Sequence, residues 1–480
     1  MRNFQAISWI ALLAWMPACA SRVAAPQEHL TTALPSNWTS DSETGRLELE
    51  LDWWRQFDAP ELNALVPRVL EANPDLQIAG ATLRQAEALA RVAGAARWPQ
   101  ASLGLQASRA QQNLIGLPIP GAGDVISITS NQFGLALNLG WEVDLWGRVD
   151  AAVEAAESDF LQSQANWEAA RLSLAGQTVR LFLARAEVAE QQRIAGTQSR
   201  IAEQRLQHLQ TRYQGGSASA SQVLAAEQVV TAWKSQLAQL ELSLDGQERT
   251  LQTLLGEYPH GLAGTGSESN AARRSQLPEL PNRMPAGLPA ELLSRRPDLA
   301  AAEARYYAAA AREREARASL YPRLSLTGST GTSSNAIGDL LDGDFRVWSL
   351  AGGLTAPLFE GGRLRGNLEA RKAGREQAAW AFVRDVLAAL GEVEAALRRE
   401  TVLRELREDL LLNEQRAVRQ SELAQRRFES GSGSLLSLLD TRSAALDARS
   451  TRISAELAVL QNRTDLYLAL GGGFRLNSDS

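Results

Sequence analysis

The strongest constraint on the fold is an internal repeat, because a chain made of two copies of one unit is expected to fold into two similar halves. The sequence NPDL at 73–76 returns as RPDL at 296–299, an offset of 223 in residue number. The dipeptide GR at 147–148 returns at 362–363, an offset of 215. The offset falls by eight, so the first copy carries eight additional residues between these two landmarks.

Each copy begins with one helical pattern and continues, after a loop, with a much longer one. From Asn73 to Trp98 apolar residues recur at alternating steps of three and four, which is typical of a helix packed on another helix, and Pro99 ends the pattern. The segments 148–213 and 363–428 are equal in length and contain no proline. At about 1.5 Å per residue, each predicts a helix of about 100 Å.

Between the two helical patterns of each copy, the apolar period changes to two. From Phe133 to Val143 every second residue is apolar and the residues between are mostly polar or glycine. One apolar and one polar face are typical of a strand with lipid on one side and water on the other. We expect four such strands, at about 100–112, 130–144, 323–332 and 346–359.

Four strands are too few to close a barrel in lipid. An open sheet edge there leaves backbone groups unpaired, which costs several kcal/mol for each group. We therefore expect the chain to oligomerise. A dimer supplies 8 strands and a trimer 12, both sizes compatible with membrane barrels of about eight strands or more.

Two glycine- and serine-rich breaks interrupt the long helices. They read RYQGGSAS at 212–219 and RFESGSGS at 427–434, and a second helical pattern returns after each. Glycine supplies the backbone freedom to end a helix, and serine caps the helix that follows. We expect each break to be the tip of a helical hairpin.

The N-terminus has the layout of a secretory signal peptide. A basic residue is followed by an apolar run and by MPACAS, which contains Cys19, the only cysteine of the chain. Residues 16–19 resemble a bacterial lipobox, in which the cysteine is acylated and becomes the first residue of the mature protein. Ala20 after the cysteine favours delivery to the outer membrane. The alternative is an ordinary signal peptide cleaved nearby.

Composition and motifs argue against several other functions. A net charge of −6 provides no basic excess for nucleic-acid binding. The three histidines are isolated, so we expect no metal site and no other cofactor. The chain has no G-x-x-x-x-G-K-[ST] motif and no catalytic constellation, so we expect a protein that is not an enzyme.

The sequence resembles the TolC-like outer membrane factor family, and specifically its NodT-type outer-membrane efflux lipoproteins. The segments that carry the resemblance are WWRQFDAPELNALV at 53–66, NPDLQIAGATLRQAEA at 73–88, WEVDLWGR at 141–148, RRPDLAAAEA at 295–304 and PLFEGGR at 357–363, together with the two tips. These motifs cover nearly the whole chain after Cys19.

This resemblance implies a mainly helical fold with membrane strands. Three chains would form a 12-stranded outer-membrane β-barrel and a periplasmic α-barrel of 12 helices. The expected divisions are 1–18 signal peptide, 19–72 lipid-anchored segment, 73–256 first repeat, 257–295 equatorial linker, 296–471 second repeat and 472–480 tail, with tips at about 214–220 and 429–435.

The resemblance also implies a passive outer-membrane exit duct for small molecules such as drugs. Its partners would be a periplasmic adaptor (membrane fusion) protein, an inner-membrane pump of the RND type and outer-membrane lipid. The residues expected to meet the adaptor are Gly215, Gly216, Ser217, Ser219, Val223, Leu224, Gly431, Ser432, Ser434, Leu438 and Leu439. The alternative for each is a turn or cap residue without a partner.

Family members close their periplasmic end with polar or acidic residues near the tip, and Glu422 and Arg426 are the candidates for this gate. A ring of three Glu422 side chains would attract cations and repel anions at a narrow pore. The alternative is a solvated helix face, and the corresponding residue of the first repeat is the uncharged Gln207.

Three other functions remain open at this point. The chain could be the outer-membrane channel of a type I protein secretion system. It could also be a periplasmic adaptor, which needs only one hairpin, or a coiled-coil lipoprotein of the envelope, which has heptads without strands. The strand pattern from Phe133 to Val143 argues against the last two.

Overall fold

A computed structural model describes residues 25–29, 35, 37–39, 50–115, 125–264, 277–281, 287 and 289–473. Cys19 and the proposed signal peptide lie outside the described residues. The chain divides into two compact units. The first comprises Met1–Leu30, Arg84–Gln162 and Ala302–Phe382, and the second comprises Thr31–Leu83, Ser163–Ala301 and Val383–Ser480.

The described elements follow the order expected from the repeat. The helices are α1 Pro60–Ala72, α2 Pro74–Gly94, α3 Arg148–Gln214, α4 Ala220–Leu254, α5 Leu292–Arg295, α6 Pro297–Ala318, α7 Arg363–Glu429 and α8 Leu435–Ala469. The strands are β1 Gln100–Ile115, β2 Val125–Val143, β3 Arg323–Ser334 and β4 Arg346–Thr355. The predicted fold class, mainly helical with four strands, is confirmed.

The first unit contains one antiparallel sheet with the order β1-β2-β3-β4. The first hairpin pairs Gln100 with Gly140, and its pairing continues to Ile115 and Val125. This extended pairing is why β2 begins earlier than the sequence pattern predicted. β4 ends at Thr355, because Pro357 has no N–H to donate to a sheet.

The two repeats fold alike in register as well as in order. We call two residues sister positions when their numbers differ by 223, for α2/β1 and α6/β3, or by 215, from β2 onward. The sister positions of the Gln100–Gly140 pair are Arg323 and Thr355, which pair in the second hairpin. The long helices α3 and α7 both have 67 residues, and the return helices α4 and α8 both have 35.

A buried ion pair joins the two helices of each hairpin in the second unit. Arg185 of α3 contacts Glu248 of α4 at 2.7 Å, with both side chains about nine-tenths buried. The sister positions in α7 and α8 are Glu400 and Arg463, which also form a buried ion pair. The charges are therefore exchanged between the repeats while the pair is kept. Removing one partner of such a pair leaves a buried charge without compensation.

The NPDL and RPDL motifs that revealed the repeat cap the ends of the return helices. Asn73 Nδ2 donates to the Leu254 carbonyl at the end of α4, at 3.0 Å. Its sister Arg296 donates from Nη1 to the Ala469 carbonyl at the end of α8, at 3.1 Å. Both side chains thus satisfy a carbonyl that the helix itself leaves unpaired.

Arg296 also binds two carboxylates. Its guanidinium contacts Asp298 and Glu392, each at 2.7 Å. Burial lowers the pKa of Arg296, but the hydrogen bonds and charges of Asp298 and Glu392 outweigh this and hold that pKa above its ordinary value. The arginine therefore stays charged and joins α6, α7 and α8 within the second unit.

We predict that Arg296→Ala destabilises the folded protein by on the order of 3 kcal/mol, because it leaves a helix-end carbonyl and two carboxylates without their partner. Arg295→Ala is the matched control. The adjacent Arg295 forms a more exposed i,i+4 pair with Glu291, so its loss is expected to cost less than about 1 kcal/mol. Thermal unfolding in detergent measures both. Equal losses would contradict the capping role.

Candidate functional site

The first hairpin tip is a tight glycine turn with a capped return helix. Gly216 has a φ of +72°, and the Ser217 N–H donates to the Arg212 carbonyl at 2.8 Å. Ser219 Oγ accepts from the Gln222 N–H, and the Gln222 side chain accepts from the Ser219 N–H at 2.9 Å. This capping box begins α4 where the sequence pattern expected it.

The second tip repeats this geometry at its sister positions. Gly431 has a φ of +75°, and the Ser432 N–H donates to the Arg427 carbonyl at 2.9 Å. Ser434 Oγ accepts from the Ser437 N–H at 3.1 Å and caps α8. The residues predicted from the sequence at 215–219 and 431–434 thus form two equivalent turns in the second unit.

The residues that follow the turns differ between the two tips. In the first return helix Val223 is half-buried and Leu224 is 59% exposed. Their sister positions Leu438 and Leu439 are only 3% and 1% exposed. Leu438 and Leu439 are therefore buried within the single chain, and their contact with an adaptor stays a prediction.

Glu422 lies in a groove between three helices of the second unit. The groove has a volume of about 460 Å³ and is lined by residues of α3, α7 and α8, which include Arg200, Ser421 and Arg442. Arg442 also donates to Gln425 at 2.7 Å. Arg426 is exposed near the end of α7 and does not line this groove. Arg200 and Arg442 were not predicted as neighbours of Glu422, because no local sequence pattern links these two positions to it.

A polar seam joins α3 of the first hairpin to α8 of the second. Gln198 is almost fully buried and donates to Asp447 at 2.9 Å and to the Ser443 carbonyl at 3.0 Å. Burial raises the pKa of Asp447, and the hydrogen bond from Gln198 only partly offsets this. Closer to the helix middles, Arg449 pairs with Glu190 at 2.8 Å. Together with the ion pairs inside each hairpin, the seam gives the helix order α4-α3-α8-α7.

Metal sites and membrane-spanning helices are both absent from the part of the chain that the structure describes. Within those residues no group of three His, Cys, Asp or Glu side chains is arranged to hold a metal ion. In the same ranges, no helix is both long enough and apolar enough to cross a membrane.

Each repeat of the chain supplies one antiparallel strand hairpin and one long helical hairpin, and solved structures with a similar fold are outer-membrane channels. The solved structure of the outer-membrane channel OprN superposes with a TM-score of 0.81 at 27% identity, covering 94% of this chain and 99% of that one. The model for outer membrane efflux proteins matches residues 65–257 and 288–472. The chain belongs to this family and is an outer-membrane channel component of an efflux system.

Two curated relatives differ in the cargo that their names state. The pyoverdine export outer membrane protein OpmQ of Pseudomonas aeruginosa is 34% identical over 488 residues, covering 99% of this chain and 98% of that protein. The cation efflux system protein CusC of Escherichia coli is 28% identical over 434 residues, covering 88% of each.

We predict that Gly216→Ala lowers the free energy of local opening at the first tip by about 1–2 kcal/mol, because a side chain disfavours the left-handed backbone conformation at this position. Hydrogen exchange of the amides in 213–219 measures the effect, with about tenfold faster opening for each 1.4 kcal/mol. Gly196→Ala is the control, since Gly196 lies within α3 and a Cβ added there would meet no neighbouring atom within 4 Å. Unchanged tip exchange in Gly216→Ala would show that the turn does not need glycine.

Proposed function

We propose that the protein is the passive, trimeric exit duct of a tripartite efflux system that exports small molecules such as drugs. A periplasmic adaptor would join it to an inner-membrane pump, which we propose to be of the RND type. The observation that carries this proposal is the pair of helical hairpins that ends in two equivalent turns, attached in sequence to strands with an apolar face.

The trimer is supported by the incompleteness of a single chain. The sheet ends at β1 on one side and at β4 on the other, and neither edge is paired within the described residues. Unpaired backbone groups in lipid cost several kcal/mol each, so the edges need partners. Three chains of four strands supply a closed sheet of 12 strands, and the helices α4 and α7 at the two ends of the helix order supply matching edges.

The proposed adaptor surface consists of the turn residues themselves. Gly216, Ser217, Gly431 and Ser432 have small side chains, so a partner can approach the backbone closely. Ser219 and Ser434, which cap the return helices beside the turns, are also proposed to contact the adaptor. Buried Leu438 and Leu439 would act only by holding the second turn in place.

The duct needs an external source of energy. The sequence contains no phosphate-binding loop, so ATP is not expected to drive transport from this chain. The names of OpmQ and CusC state chemically unlike cargoes, pyoverdine and cations. This contrast supports a duct that leaves the choice of cargo to its pump. No observation in this chain favours protein secretion over the export of small molecules.

We also propose that Cys19 is acylated and anchors the protein in the outer membrane. The lipobox-like sequence before it and the lack of any other cysteine support this. Cells fed radiolabelled palmitate should label the wild-type protein in the outer-membrane fraction and leave Cys19→Ser unlabelled. Label on Cys19→Ser would exclude this anchor.

The function is tested by deleting the gene in its native host and measuring the accumulation of a fluorescent efflux substrate. We expect higher accumulation that the wild-type gene reverses. Deleting the pump gene as well should add nothing, since pump and duct act in series. The native mass of the protein extracted in detergent should correspond to three chains. Unchanged accumulation together with a monomeric mass would overturn the proposal.

We predict that Glu422→Gln lowers the cation preference of the channel by about fivefold, because about 1 kcal/mol of attraction per ion is lost at about 4 Å in water. Single-channel reversal potentials in a salt gradient measure this. Glu408→Gln on the same helix is the control, since Glu408 does not line the Glu422 groove. The same selectivity in Glu422→Gln and wild type would remove Glu422 from the gate.

A further inference from the structure

The equivalence of the two repeats makes it possible to derive the contact between two copies of the chain. Inside one chain, the first repeat meets the second where β2 pairs with β3 and where α3 packs against α8. The edges β4 and α7 of one copy are the repeats of β2 and α3. The edges β1 and α4 of the next copy are the repeats of β3 and α8. The contact between copies is therefore expected to repeat the contact inside the chain.

Charge complementarity supports this derivation in the helices of the second unit. Arg449 pairs with Glu190 between α8 and α3 at 2.8 Å. The sister position of Arg449 is Lys234 on α4, and that of Glu190 is Glu405 on α7. Lys234 and Glu405 therefore have opposite charges, as Arg449 and Glu190 do, although they lie on the two helices at opposite ends of the helix order.

The first unit provides a second, independent case. Arg314 of α6 pairs with Glu154 of α3. The sister position of Arg314 is Arg91 on α2, and that of Glu154 is Glu369 on α7. Here too the basic residue and the acidic residue recur with the same signs.

The remaining charged contacts between the repeats do not oppose this arrangement. Four further ion pairs join the repeats in the described part of the chain, and they involve Arg148, Arg180, Arg205 and Arg312. None of these four ion pairs has two charged residues at its sister positions. The pair of Arg148 loses its acidic member to Val92, and the other three pairs become Ala395 and Thr250, Gln420 and Ala225, and Leu89 and Gly374. No like charges are brought together.

The same charged residues are poorly paired within one copy. Among the described residues, the Lys234 ammonium pairs only with Glu203, at 3.9 Å and with its side chain 66% exposed, and the Arg91 guanidinium pairs only with Glu87, also at 3.9 Å. Glu405 and Glu369 are exposed and form no salt bridge with any described residue. All four side chains are therefore available to bind a neighbouring copy.

The strands agree with the helices. Leu139 of β2 lies opposite Gly328 of β3 inside the chain. The sister positions are Leu354 of β4 and Leu105 of β1, so the derived register places one leucine opposite another. A slip by a single position would move Leu354 against the polar face of β1, because successive side chains of a strand point to opposite sides.

We infer that neighbouring copies meet through the contact that the two repeats make inside one chain, with Lys234 of one copy bound to Glu405 of the next and Arg91 bound to Glu369. This inference rests on the proposed trimer, and each trimer would contain three copies of both pairs. Leu224 would be covered in the same way as its buried sister Leu439, which explains why one is exposed and the other buried in the single chain.

A zero-length carbodiimide cross-linker, which joins an amine to a carboxylate in contact, tests the first pair in detergent-extracted protein. Lys234 and Lys372 are the only lysines of the chain. We expect products of two and three chains in which mass spectrometry identifies a Lys234–Glu405 link. Lys234→Arg keeps the charge but removes the reactive amine, so these products should vanish. Lys372→Arg is the matched control and should retain them.

The outcomes separate the inference from the function on which it rests. A native mass of three chains with lysine links only to Glu203 or to other carboxylates would overturn the derived contact and leave the trimeric duct intact. A monomeric native mass would overturn both.

Charge reversal tests the second pair without cross-linking. Arg91→Glu and Glu369→Arg each place like charges together, so we expect each to lower the temperature at which the trimer dissociates in detergent. The double variant restores opposite charges and should recover most of the loss. A double variant whose loss equals the sum of the two single losses would show that the residues do not meet.

Discussion

The constraint on which the rest of the structure depends is the backbone of a strand in lipid, where every N–H and C=O must be hydrogen-bonded within protein. The four described strands meet this demand at their three internal pairings, and no described residue pairs with the outer edges of β1 and β4. The internal repeat offers a solution that needs no additional type of contact. If β4 can pair with β1 of another copy as β2 pairs with β3, the same interface closes the sheet.

Several contacts are the same in both repeats although the residues that form them differ. Arg185 and Glu248 become Glu400 and Arg463, so the buried pair survives with its charges exchanged. Asn73 becomes Arg296, yet both donate to the end of a return helix. Selection on a buried or helix-capping contact acts on complementarity, because an unpaired buried group costs more than the identity of either partner. The contacts that the two repeats share are therefore easier to recognise from pairs of sister positions than from single residues.

The features that the sequence predicted well are those with a local period or a local terminator. The long helices begin at Arg148 and Arg363 as expected, and Ser219 and Ser434 cap the return helices, because proline, glycine and serine act within a few residues. The groove around Glu422 was not predictable, since Arg200 reaches it from a helix of the other repeat and Arg442 from the return helix beyond the tip. The burial of Leu439 was missed for the same reason, because helix packing rather than sequence decides which face is covered.

The two tips illustrate how an exact repeat in the backbone can still give different surfaces. Gly216 and Gly431 adopt the same left-handed conformation, and the serines beside them make equivalent hydrogen bonds. The first return helix nevertheless lies at one end of the helix order, while the second is enclosed between α3 and α7. Leu224 is therefore exposed in the single chain and Leu439 is not. In the proposed trimer this difference disappears, so six nearly equivalent turns would face the adaptor, and a partner with a repeated binding element could engage all of them.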